Sequence, residues 1–275
     1  MRSIVKTIEH DSRSDVFTVV LLGDVHLGAA ACDEVLFQQC INRIRDGANT
    51  FFIAMGDMAD AVHRHDKRHR EDTMARWLHG KGAIIKHQRD RLIDLLRPIG
   101  PQCLAYVLGN HEDAIDKETS SDIYLDVIEA IRATPDTDIR MGLSGWLLLK
   151  FRRTEKGGTQ AYRFFLHHGW NGGDLMGSNA LKLERLSESY EADVYVMGHT
   201  HKRIAFPTVV TGIDRNGNIT AETRYHINSG SFLRCALPDA VTYTEAKGKK
   251  PVSLGWVELE LRPGADGDKI RVSQL

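Results

Sequence analysis

Five short apolar runs in this chain each end in residues able to ligate a metal ion. Val16 to Leu22 runs into Gly23-Asp24-Val25-His26, and Phe51 to Met55 into Gly56-Asp57. Cys103 to Leu108 meets Gly109-Asn110-His111, the run from Ala161 to Leu166 meets His167-His168, and Ala192 to Met197 meets Gly198-His199-Thr200-His201. Runs of this length, rich in β-branched residues and bounded by polar ones, read as strands buried on both faces. Between them lie helical patterns. Asp33 to Arg45 carries Val35, Leu36, Cys40, Ile41 and Ile44 with Asp33 as N-cap, and Ile84 to Leu96 is amphipathic. Ser120 to Arg132, with the Thr119-Ser120-Ser121 run as its cap, and Leu181 to Tyr190 complete the set. Alternating strands and helices predict an α/β fold, and in such sheets sites form in the crevice beyond the carboxyl ends of the strands.

Each cluster alone carries little. Asp24-Val25-His26 reads more readily as a solvated turn, and a His-x-His pair in a chain with 13 histidines is as easily coincidence. If the backbone is extended at Gly198 to His201, His199 and His201 project to one side about 6.5 to 7 Å apart, a spacing suited to two neighbouring ions. The weight lies in five such clusters occurring together, each just past a strand.

In order, Asp24-Val25-His26, Gly56 to Asp60, Gly109 to Glu112, His168-Gly169 and Gly198 to His201 resemble the D-x-H, G-D-x-x-D, G-N-H-E, H-G and G-H-x-H motifs of the calcineurin-like metallophosphoesterases. The resemblance covers roughly Val16 to Leu233. It implies a four-layer α/β/β/α sandwich of two mixed β-sheets, with metals at the sheet edge where the loops converge. It implies two divalent ions bridged by Asp57, with Asp24, His26 and His201 on the first and Asn110, His168 and His199 on the second. An imidazole and oxygen shell without thiolates suits manganese, taken as the leading expectation, or iron, zinc, cobalt or nickel, over magnesium or calcium. Two such ions clamp the attacking and leaving oxygens of an in-line displacement and make hydroxide accessible at neutral pH. His111 resembles the family's general acid; the alternative is a structural histidine beside Asn110. Asp60 and Glu112 read as acceptors that orient ligands, and His167, by alternation, points away from His168. Asp60 also departs from the G-D-x-x-Y form of purple acid phosphatases, which disfavours a tyrosinate-iron site.

Composition narrows the partners. The chain has 275 residues, 42% hydrophobic and 27% charged, with formal charge -1, as expected of one globular domain over residues 1–275. Cys32, Cys40, Cys103 and Cys235 lack metal-ligand spacing and read as reduced thiols of a cytoplasmic protein. Met1 to Asp15 is polar, and no run reaches the ~20 apolar residues of a membrane span, so no membrane partner is expected. Within residues 61–97, a basic helical segment, ten Lys and Arg stand against five Asp and Glu, a surplus of +5. That segment is either a solvated helical face or a basic wall for a phosphate-bearing substrate. With Lys202, Arg203 and Trp170 it makes a phosphodiester, with nucleic acid favoured, the leading substrate class. A small-molecule phosphomonoesterase or cyclic-nucleotide phosphodiesterase is the enzyme alternative. A lipid A pyrophosphatase fits less well, because that group has Arg where His111 stands. The alternative of another class, a non-catalytic metal-binding interaction module, is disfavoured because the implied ligands and His111 are all present. The β-rich tail, 204–275, is expected to complete the second sheet with antiparallel strands, Lys156-Gly157-Gly158 to turn a hairpin, and Asn228-Ser229-Gly230-Ser231 to form a tight loop near the site.

Overall fold

Alternation along the apolar runs sorts side chains into layers. The computed structural model describes residues 1–274 apart from 64–65, 67–69, 120, 155–157, 171–172, 174 and 239. Arg64, His65, Lys67, Arg68 and His69 of the basic segment therefore lie outside the described residues, as do Lys156 and Gly157 of the hairpin turn and Ser120 of the expected cap.

In chain order the elements are β1 (Arg2–His10), β2 (Phe17–Leu22), α1 (Glu34–Asp46), β3 (Thr50–Ala54), α2 (Ile84–Leu96), β4 (Cys103–Val107), α3 (Asn110–Thr119), α4 (Ile123–Ile131), β5 (Arg140–Gly142), β6 (Ser144–Arg153) and β7 (Thr159–His167). They continue with α5 (Met176–Ser189), β8 (Val194–Met197), β9 (Arg203–Ile213), β10 (Ile219–Ser229), α6 (Tyr243–Ala246), β11 (Val257–Leu261) and β12 (Ile270–Gln274). They form two six-stranded sheets, ordered β1-β6-β7-β8-β10-β9 and β12-β11-β2-β3-β4-β5. Both are mixed: β2, β3 and β4 run parallel while β11 pairs antiparallel to β2, and β8 pairs parallel with β7 and β10.

Val19 and Leu21 of β2 point into the core between the sheets with Leu147, Phe151, Phe164 and Val196, whereas Val20 and Leu22 point outward onto Phe37, Cys40, Leu92 and Val127 of α1, α2 and α4. On the opposite outer face Phe165, Tyr195 and Met197 pack against Leu183 and Leu186 of α5. The result is the expected four layers of helix, sheet, sheet and helix.

Three details depart from expectation. Arg2–His10, where the polar sequence suggested no element, is a strand paired in parallel with β6; as an edge strand it alternates buried Ile4 with exposed neighbours, a pattern too weak in apolar residues to stand out. The tail serves both sheets: β9 and β10 extend the first, while β11 and β12 extend the second. The cap of α4 is Asp122, whose Oδ1 accepts from Leu125 N at 2.8 Å.

Candidate metal centre

The parallel strands β2, β3, β4, β7 and β8 end at one edge, and the clusters converge there. Asp24 and His26 follow β2, Asp57 follows β3, Asn110 and His111 open α3 after β4, His168 follows β7, and His199 and His201 follow β8. Three groups of donor atoms among the described residues lie close enough to hold an ion: Asp24 with His26 and His201, Asp57 with His168 and His199, and, sharing His26 with the first, His26 with Asp60 and His111. One carboxylate oxygen reaches from the Asp57 group to the Asp24 group. Asp57 Oδ2 is 3.3 Å from His168 Nε2 and 3.9 Å from His26 Nε2. Asn110 joins the second group, its side-chain amide 2.7 Å from His199 Nδ1 and 3.0 Å from His168 Nε2. Asp24, His26, Asp57, Asn110, His168, His199 and His201 thus lie together at this edge.

The local backbone differs from the extended geometry expected at Gly198 to His201. His199 (φ 67°) and His201 (φ 59°) are left-handed, as are Asp24, His26 and Asp57 at φ 49°, 49° and 50°. These five are among eight non-glycine residues with positive φ in the described chain, so the strain gathers where the donors are. Each such residue costs on the order of 1 kcal/mol and persists only where its surroundings fix it. Here backbone hydrogen bonds lace the loops together: Asp24 N to Gly56 O at 3.0 Å, His26 N to Asp57 O at 2.9 Å, and His199 N to Asp24 Oδ2 at 2.8 Å. His111 N donates to Asp57 Oδ1 at 2.9 Å. The Asn228 to Ser231 turn lies against the site as expected, with Ser231 Oγ donating to Asp24 O at 2.9 Å.

Supporting acceptors take two roles. Asp60, through its carbonyl, accepts from His111 Nδ1 at 2.5 Å and so orients that ring, while its Oδ1 lies 3.6 Å from His26 Nδ1, beyond hydrogen-bond distance. Glu112 instead holds the backbone. Its carboxylate accepts from Asp57 N, Met58 N and Ala59 N at 3.1, 2.7 and 3.1 Å, fixing the loop that presents Asp57. The Met55 carbonyl accepts from His168 Nδ1 at 2.8 Å, which aims Nε2 at Asp57; a backbone oxygen carries no sequence signal, so this partner was not foreseen. His167 faces away from the donors, its Nδ1 accepting from Gly169 N at 2.8 Å and its ring 4.9 Å from Trp170. Tyr243 was also missed: it lies 6.4 Å from the His201 ring, some 40 positions downstream in a stretch without a motif.

Asp24, Asp57 and Glu112 are at most 2% exposed, and three carboxylates so close to one another in so dry a place demand positive charge. Burial and Asp57 push Asp24 well up, and burial with Asp57 raises Glu112 to about 7. Burial opposes charge on Asp57 too, yet the surrounding His111, His168 and His26 keep its carboxyl well below the usual range. His168 shows the converse: burial lowers it, but Asp57 and Asp24 prevail and lift it to about 10. Burial and nearby imidazoles keep His199 down at about 4 and His201 well below its usual value. Carboxylate oxygens and imidazole nitrogens without a thiolate are the donor set that divalent transition metals take.

A two-sheet sandwich flanked by helices, with histidine, aspartate and asparagine donors gathered at the strand ends, defines a metallophosphoesterase architecture. The family model described as calcineurin-like phosphoesterase matches residues 17–203, and the chain belongs to that family. Among solved structures it is similar to Vps29 of Chaetomium thermophilum (13% identity, 94% of this chain and 95% of that one, TM-score 0.40). It is likewise similar to a metallophosphoesterase from Sphaerobacter thermophilus (13% identity, 94% and 88% covered, TM-score 0.40) and to GAP50 of the Plasmodium inner membrane complex (14% identity, 94% and 88% covered, TM-score 0.44). No curated protein sequence gives a match. Among the described residues, no helix is long and apolar enough to cross a membrane.

Proposed function

We propose that the chain is a metal-dependent phosphohydrolase that cleaves a phosphodiester at a dinuclear centre. The observation that carries this reading is the position of Asp57 Oδ2 between the two donor groups, within 3.9 Å of a histidine from each. In this reading Asp24, His26 and His201 would hold one divalent ion, Asn110, His168 and His199 would hold the other, and Asp57 would serve both. Manganese is the leading candidate, with iron, zinc, cobalt or nickel as the others. When bound, such a pair supplies Lewis acidity to the phosphoryl oxygens and brings the pKa of a water to about 7. The protein's own part is to hold these side chains in one geometry and to manage the leaving group's proton. The Asp60 carbonyl accepts a hydrogen bond from Nδ1–H of His111, which leaves Nε2 as the atom that would exchange a proton with the departing oxygen.

The described residues lend little to nucleic acid as the diester. Arg70, outside any α-helix, pairs with Asp72, while Arg89 and Arg91 of α2, the one α-helix among the described residues of 61–97, pair with Asp90 and Asp126 and with Glu34, as solvated surface cations do. Lys202, expected beside the substrate, is 7% exposed and donates to Gly173 O. Trp170 remains outward-facing at 40% exposure. A cavity of about 410 Å³ lined by Leu175, Met176, Lys202, Arg203, Lys250 and Pro251 follows His201 in the chain but has none of the metal donors in its wall.

A panel run with manganese decides the matter: bis-p-nitrophenyl phosphate, cyclic nucleotides, nucleoside monophosphates and single-stranded DNA. Turnover of the diesters that Asp57→Asn abolishes is the expected result. No manganese-stimulated hydrolysis of any substrate would overturn the assignment, and preference for monophosphates would replace the diester with a monoester.

A further inference from the structure

The edge that gathers the donors continues past them to β5 and to the turn between β5 and β6. β5 lies beside β4, with Val107 opposite Gly142, and the start of β6 lies beside the end of β7, with Ser144 opposite His167. Two hydrogen bonds tie this turn to the candidate centre. Gly142 O accepts from Leu108 N at 2.8 Å, two residues before Asn110, and Leu143 O accepts from the backbone N of His168 itself at 3.1 Å. Tyr124 braces the turn from the core side, its hydroxyl accepting from Gly142 N at 2.8 Å and donating to Tyr106 O at 2.9 Å.

A cavity of about 590 Å³ opens on this turn, with Arg2, Arg140, Met141, Gly142, Leu143 and Ser144 in its wall. That volume falls within the ~300 to 1,000 Å³ of small-molecule sites. Its charged wall is cationic: two arginines and, among the described residues that line it, no carboxylate. Arg2 reaches across from β1, its Nη1 donating to Arg140 O at 3.1 Å. Arg140 is exposed, and among the described residues its guanidinium is in no ion pair. Asp138, outside the wall, has an Oδ1 that accepts from Arg140 N at 3.0 Å and stands 3.9 Å from Arg2 Nη1, a half-exposed pair that holds little in water. A Cβ on Gly142 would meet nothing within 4 Å, so the space before the turn is open, and Leu143, 50% exposed, gives it an apolar side.

We propose that this cavity is a subsite for a second phosphate group, carried by the substrate on the part of the diester away from the scissile bond. The proposal rests on the reading of the centre as a phosphohydrolase. Two guanidinium forks match a phosphate dianion in charge and in bidentate geometry, and Leu143 suits the apolar part of the group that joins the two phosphates. The subsite lies on the Asn110 and His168 side, one hydrogen bond from a donor residue, so a substrate anchored there brings its other phosphorus to the same sheet edge. Anchoring by a group that does not react is one way binding energy positions the group that does.

Calorimetric titration of the full chain in EDTA reads the subsite apart from the chemistry. The probes are p-nitrophenyl thymidine 5′-phosphate and the same diester carrying a 3′-phosphate. The wild type is expected to bind the phosphorylated probe at least about tenfold more tightly, the scale of one charge-assisted hydrogen bond. Arg2→Ala with Arg140→Ala is expected to bring the two probes level with Tm retained, because both side chains are exposed. Lys250→Ala, in the wall of the cavity that follows His201, is expected to keep the preference. Equal binding of the two probes by the wild type, or binding of neither, overturns the subsite even where manganese-dependent hydrolysis is found. A preference that survives the double variant, or that Lys250→Ala removes, overturns it equally. A preference lost in the double variant but found without manganese-stimulated hydrolysis upholds the phosphate site and overturns the phosphohydrolase reading alone.

Discussion

At the scale of single residues, the motif glycines matter for the space they leave. A Cβ on Gly109 would lie 2.1 Å from Asp57 N and 2.3 Å from both Asp57 Oδ1 and Glu112 Oε2. A Cβ on Gly56, at φ +88°, would lie 2.6 Å from His168 Nδ1. Gly109→Ala is therefore expected to displace Asp57 and cut turnover by about 10²-fold, the scale of a 1 Å misplacement, in a chain that still folds. Unchanged kcat in that variant would mean that Asp57 is not held as described. His111→Ala is expected to lower kcat while metal content, read by elemental analysis, stays at the wild-type level. Loss of metal in that variant would make His111 a ligand and not a proton carrier.

At the scale of elements, the buried strands could be read from the sequence because their apolar runs are continuous, and the donors at their ends followed from that placement. Edges and termini were less legible. β1 is an edge strand with few buried residues, and the start of α4 depends on which of several adjacent polar side chains reaches back to an amide. That residue is Asp122, so Asp122→Ala is expected to cost about 1 kcal/mol and lower Tm by about 2 °C, whereas Ser121→Ala should change neither. His226 of β10 offers a test across three elements. Its ring stacks between Tyr195 of β8 and Phe206 of β9, and its two nitrogens meet Thr208 Oγ1 at 2.9 Å and Leu183 O at 3.2 Å. Burial lowers its pKa below the ordinary 6.5, so the fold keeps the ring neutral while the unfolded chain protonates it. The stability it contributes is complete above pH 6.5 and is lost as pH falls from there toward the lowered value. Thermal melts between pH 7 and about 5 should show that loss. His226→Phe should flatten the profile, and a profile of the same slope would place the dependence on other groups.

Over the whole molecule, a sandwich whose strand ends gather buried carboxylates is stabilised by whatever neutralises them. A ligand bound to the folded chain at about 100 times its Kd adds about 2.7 kcal/mol. Manganese is accordingly expected to raise Tm, chelation by EDTA to reverse the rise, and Asp57→Asn to abolish the response. A Tm indifferent to both treatments would contradict a metal-holding centre. The sequence showed that five distant loops carry donors; that one oxygen of Asp57 reaches both sets depends on left-handed turns and interloop hydrogen bonds that no spacing rule contains. Anomalous diffraction from manganese-grown crystals tests this most directly. Two peaks flanking the Asp57 carboxylate, one beside Asp24, His26 and His201 and the other beside Asn110, His168 and His199, are predicted. A map with no peak among these residues, or with a single ion that Asp57 does not touch, would contradict it.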